Sequence, residues 1–168
     1  MTQLRTKLMI REATRLADDA QYLRGRVLSE SNGAYLLELL ALEILLKCCV
    51  LLETGVLERG HDYVHIFLRL SSETRRRIVH EAAQRMGPSA DYSDPYWLLD
   101  LFSSNFTRTR YPYEAYNPGM SEADYIRMGA EWVDRGALIE EATFDFRPNE
   151  LHGFIHALSA LASARVDA

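Results

Sequence analysis

A chain of 168 residues, 48% hydrophobic and 26% charged, has the make-up of one globular domain and is long enough to bury a core without disulfides or metals. The formal net charge of −5 excludes an overall positive field that would draw the chain to nucleic acid or anionic lipid, so any RNA contact has to come from a local basic patch. Cys48 and Cys49 are adjacent, which bars an ordinary disulfide between them on a helix, and no CxxC or Cys/His cluster is present. Neither a metal nor a cofactor is expected.

Residues 2–29 predict a long amphipathic helix, because Met9, Ala13, Leu16, Ala20, Leu23 and Val27 recur every three or four positions. Ser29 to Gly33 reads as a turn, with Ser31 or Asn32 able to cap the second helix. That helix, about 33–54, carries leucines on most sides and is expected at the centre of a bundle, or partly covered by a second copy of the chain. Glu38, Glu43 and Lys47 interrupt its apolar run, which argues for a core helix over a membrane span. Glu43 and Lys47 read as an i,i+4 pair on the polar edge of this helix. The opening Met-Thr-Gln-Leu-Arg lacks a basic-then-apolar leader pattern, so a cytoplasmic protein is expected.

A short helix is predicted at 61–70 with Val64, Phe67, Leu68 and Leu70, and another at 72–86, closed by Gly87-Pro88. The run Arg75-Arg76-Arg77, flanked by Glu73 and Glu81, reads as solvated helix surface, with a phosphate patch as the alternative. A helix at 94–110 turns Trp97, Leu98, Leu101, Phe102 and Phe106 inward and stops before Pro112. Tyr113 to Gly119 reads as a loop, and Ser121-Glu-Ala-Asp124 opens a helix to about 135. Residues 138–146 read as a short strand or an extended connector, and 148–165 as a final helix with Leu151, Phe154, Ile155, Leu158 and Leu161 inward. The sum is a single all-α domain over 1–168, a bundle of about five to seven helices.

Three places carry chemistry. Asp62 stands where a carboxylate caps a helix start. Arg110 stands in a last helical turn, where the dipole favours a cation by about 0.3–1 kcal/mol. That reason suffices for one arginine but leaves Arg108, Tyr111 and Tyr113 beside it unexplained. Guanidinium donors next to aromatic faces suit phosphate and base contacts. The tyrosines at 92, 96, 111, 113 and 116 otherwise read as core and rim packing. His61 and His65 have the i,i+4 spacing of two metal ligands, but no third is evident.

Ala41-Leu-Glu43-Ile-Leu-Leu-Lys47, then Gly60-His61-Asp62 with Tyr63, then Thr109-Arg110-Tyr111-Pro112 with Tyr113-Glu114 follow one another across 33–115. They resemble the A-x-E-x-x-L-K, G-H-D-L and T-R-Y-P elements of the HEPN superfamily, small helical bundles that are often dimeric. The resemblance implies a nucleotide- or RNA-binding protein, a homodimer, and a place in a bacterial stress, toxin–antitoxin or defence system with an antitoxin-like protein partner. It puts the ligand near Arg110, with Arg108, Tyr111, Tyr113, Glu114, His61 and Asp62 around it.

Many HEPN proteins are metal-independent ribonucleases that use an arginine followed four to six residues later by a histidine. Here Arg110 matches that arginine, but Ala115-Tyr116-Asn117 holds no histidine. The spacing occurs instead at Arg59/His65, Arg75/His80 and Arg147/His152. Residues five apart on a helix are separated by about 140°, so Arg75 and His80 do not share a face, whereas Arg76 and His80 do. Arg147 precedes Pro148 and lies free to fold back on His152, which makes this pair the candidate catalytic one. The remaining alternative is a non-catalytic helical module for protein partners.

Overall fold

The computed structural model describes residues 2–26, 32–111, 119–138 and 144–167, which hold seven α-helices and a 3-10 turn. They are α1 (Thr2–Arg26), α2 (Asn32–Thr54), α3 (Tyr63–Leu68), α4 (Ser72–Met86), α5 (Pro95–Arg110), α6 (Glu122–Asp134) and α7 (Pro148–Asp167). No strand occurs among the described residues, so the architecture is an all-α bundle. The strand-or-connector reading of 138–146 falls largely on 139–143, outside the described residues, while 144–147 has no regular structure. The Val27, Ser31 and Tyr113–Pro118 expectations also lie outside them.

The leucine-rich α2 is the axis of the fold. It packs against α1, α7, α5 and α3, and it buries residues on nearly every side. This is why its apolar positions show so little bias to one face: a helix surrounded by partners has no solvent side to keep polar. Cys48 and Cys49 illustrate the geometry. The first points at the Thr6 carbonyl of α1 and the second at the Leu158 carbonyl of α7, and burial pushes their thiols up to about 11 and about 12. No described helix is long and apolar enough to cross a membrane.

Local signals set the helix starts. Asp62 caps α3 by accepting from the His65 amide at 2.8 Å, Ser71 caps α4, Asp94 caps α5, and Ser121 with Asp124 forms a reciprocal capping box on α6. One residue expected inward, Trp97, faces out. The buried stripe of α5 is Leu98, Phe102, Phe106 and Thr109 with Leu99 and Asn105, so Trp97, about 100° away from Leu98, is 46% exposed. Leu68 is likewise exposed one step past Phe67, because Tyr63, Ile66 and Phe67 form the inner face of α3. Helix α6 buries none of its described residues, and Tyr125, Ile126, Met128 and Val133 lie on its surface.

α7 closes the core. Phe154 meets Phe67, Tyr92 and Phe102 edge-on, with ring centroids 5.3–6.5 Å apart. One residue earlier, a Cβ on Gly153 would lie 1.9 Å from the Tyr92 hydroxyl oxygen, which donates to the Glu150 carbonyl at 2.9 Å. Only glycine leaves room here for the Tyr92 hydroxyl against α7. At the other end of the bundle Glu53 of α2 accepts from the Ser71 amide, the Thr74 hydroxyl and Arg165, tying α2, α4 and α7 together. Burial alone would raise this carboxyl, but those donors outweigh it and hold it down at about 2.

Candidate functional site

The three motif segments meet where α2, α3 and α5 pack. Glu43 of α2 is 4% exposed, so it is no solvated edge residue. Its Oε1 accepts from Lys47 Nζ at 2.7 Å and its Oε2 meets His61 Nδ1 at 2.8 Å. A carboxylate only accepts, so Nδ1 carries the proton that faces Glu43, and Nε2 lies on the far side of the exposed ring. The position of His61 follows from Asp62. Because α3 begins at Tyr63, His61 stands before the helix, and its carbonyl accepts from Ser103 Oγ of α5 at 2.6 Å. The i,i+4 relation to His65 on one helix is therefore lost, and the two histidines do not form a metal face. Among the described residues no group of three His, Cys, Asp or Glu side chains is placed to hold a metal.

Phe106 forms the base of this corner. The His61 ring lies 5.3 Å from its centroid, Tyr63 6.3 Å, and the Arg110 guanidinium carbon 5.2 Å. Arg110 also lies 5.2 Å from the Tyr111 ring and donates to that hydroxyl at 3.2 Å. Below, Tyr63 donates to the Leu39 carbonyl at 3.0 Å, and burial, followed by the Glu43 charge, pushes its phenol well above the usual range. Arg110 and His61 thus both contact one aromatic ring at an exposed rim, with a buried carboxylate behind the histidine. Among the described residues Arg110 has no carboxylate partner, although exposed cation–π contacts are worth only about 0.5–1 kcal/mol and would leave it available to an anion.

Of the other expected site residues, Arg108 turns to the Phe144 ring, 5.3 Å away. Asp62 is occupied as the α3 cap, and Tyr113 and Glu114 lie outside the described residues. The Arg147/His152 pair does not form. Arg147, in a left-handed backbone conformation (φ 39°), is held by Asp145 at 2.8–2.9 Å and lies over Trp97 at the start of α5. His152 instead meets Glu38 at 2.8 Å. Trp97 and Arg110 are thirteen residues apart on α5, about 20 Å, so Arg147 and Arg110 serve opposite ends of that helix.

Sequence reasoning overlooked a second centre. Glu38 of α2, 3% exposed, accepts from His152 and from both Nε (3.1 Å) and Nη2 of Arg24. Burial would raise this carboxyl, but the His152 and Arg24 hydrogen bonds outweigh it and hold it below its ordinary range. It borders a groove of about 500 Å³ between α1 and α7 that Asp18, Arg85 and His156 also line. The only available signal was a glutamate in an otherwise apolar helix, which has to find partners somewhere. In comparisons with known proteins, no family model, no curated protein and no solved structure matches this chain.

Proposed function

We propose that the protein is a HEPN-like nucleotide- or RNA-binding domain, acting as a homodimer in a bacterial stress, toxin–antitoxin or defence system, with the phosphate held at Arg110. The observation that carries this reading is that Arg110 and His61 both lie within 5.3 Å of the Phe106 ring centroid, at one exposed rim. A guanidinium free of carboxylate partners among the described residues offers paired donors to phosphate oxygens. Titration with nucleotides and short single-stranded RNA tests it. Arg110→Ala is expected to weaken binding roughly ten- to a hundredfold, the worth of a hydrogen-bonded charge contact. No binding by the wild type, or equal binding by the variant, overturns the reading.

A second reading follows from the Glu43–His61 contact. The histidine that the family pattern places after Arg110 is missing from the sequence, yet His61 comes to the same rim from α2–α3 with Nε2 outward. In this reading His61 takes the proton from a ribose 2′-hydroxyl and Arg110 stabilises the charge that builds on phosphorus. Cleavage of total RNA in EDTA by wild type, lost in His61→Ala, supports it. Intact RNA with pure protein removes it and leaves the binding reading standing.

A further inference from the structure

Ser72, Arg75, Arg76, Val79, His80 and Ala83 of α4, spaced i, i+3, i+4, i+7, i+8 and i+11, all line a single open cavity of about 670 Å³, with Arg75 and His80 at the two edges of the strip. Across it stands the start of α5, with Pro95 and Tyr96, and Phe67 and Tyr92 add to its wall. Arg76 and Arg77 are exposed, as expected for solvated surface, while Arg75 is partly buried. Arg77 pairs with Glu81 at 2.6 Å on the outer face, whereas Arg75 and Arg76 have no ion pair among the described residues. Among the described residues no carboxylate lines the cavity. Arg75 is half-buried: Tyr96 accepts from its Nη1 at 2.9 Å, and its buried Nε–H meets no acceptor among the described residues.

We propose that this cavity binds a small phosphorylated molecule carrying a ring, at a site separate from Arg110. Two adjacent guanidinium groups without a counter-charge, one of them aligned by a tyrosine hydroxyl, and an imidazole one turn further along favour a dianion over a monoanion. The volume lies within the range of small-molecule sites, and the Phe67, Val79 and Ala83 wall gives a ring an apolar surface to cover.

Calorimetric titration with phenyl phosphate, inorganic phosphate and benzoate tests the idea. Phenyl phosphate is expected to bind about tenfold more tightly than either of the others, since only it brings both the dianion and the ring. In the Arg75→Gln/Arg76→Gln double variant its affinity falls at least about tenfold, while Arg77→Gln leaves it unchanged. In the wild type the His80 ring signals move in the proton NMR spectrum as phenyl phosphate is added, a readout that needs no variant to fold. Equal affinity for all three probes, no binding, static His80 signals, or a loss in Arg110→Ala instead of the double variant each overturns the proposal. The nucleotide titration at Arg110 stands or falls separately.

Discussion

Glu38 and Glu43 sit five residues apart on the same helix, both almost fully buried, and each holds an exposed histidine at 2.8 Å together with a cation. Five residues turn a helix by about 140° beyond a full circle, so Glu38 looks toward α1 and α7 and Glu43 toward α3 and α5. The difference lies in the surroundings. At Glu38 the local arginine, Arg24, is spent on the carboxylate itself, and Asp18 lines the same groove. At Glu43 that role falls to Lys47, and Arg110 is left over an aromatic ring without a carboxylate among the described residues. A buried glutamate–histidine pair is therefore a common structural device. Arg85, which lines the Glu38 groove, also has no ion pair among the described residues, so what distinguishes the Glu43 corner is a guanidinium held over an aromatic ring.

The largest effect expected from breaking this contrast is at Phe106, which has no aromatic counterpart beside His152 among the described residues. Phe106→Ala removes a ring that is 5% exposed and contacts His61, Tyr63 and Arg110, and such truncations cost about 3–5 kcal/mol. Urea unfolding measures it. A loss under about 1 kcal/mol would show that the ring is no structural support for the rim.

Next in size come the two glutamates themselves. Removing either strands its cation, and the penalty depends on how well water can reach what is left. The Lys47 side chain is 16% exposed, while those of Arg24 and His152 are 41% and 45% exposed. Glu43→Ala is expected to cost about 2–3 kcal/mol and Glu38→Ala about 1–2 kcal/mol, since water rehydrates the Glu38 partners more readily. Equal losses, or a larger one at Glu38, would mean that tethering α1 to α7 outweighs desolvation of the stranded charge.

Why one centre was legible and the other was not is a matter of sequence distance. Glu43–Lys47 is an i,i+4 pair, and the Asp62 cap, the Ser121–Asp124 box and the all-round apolarity of α2 are likewise written within a few residues. Glu43–His61 spans eighteen residues and Glu38–His152 spans 114, so only the folded bundle creates them. Arg147 misled for the same reason: its spacing to His152 was local, but Asp145 and Trp97 captured it first. Trp97 and Leu68 show the limit of composition, since a large apolar side chain one position off the buried stripe faces out. The cavity beside Arg75 was half visible, because the shared face of Arg76 and His80 follows from spacing while the opposing Tyr96 wall does not.

The smallest effect is also the most selective test of the Glu38 centre. Its carboxyl is held below its ordinary value of 4.5, because the His152 and Arg24 hydrogen bonds outweigh the cost of burial. A carboxyl with a folded value below its unfolded one adds stability above the unfolded value, and this is lost as pH falls through the folded one. The unfolded chain takes up the proton first, so acid shifts the balance toward unfolding from about pH 4.5 downward. Glu38→Gln cannot take part. Its stability at neutral pH is lower than wild type, and the gap should narrow as pH drops below 4.5 because only the wild type loses this contribution. Glu53, held at about 2 by the Ser71, Thr74 and Arg165 donors, keeps its own acid dependence in both proteins, so the difference between the two curves isolates Glu38. Parallel curves from pH 6 to pH 3 would show that the carboxyl gains nothing from Arg24 and His152 beyond what water gives it.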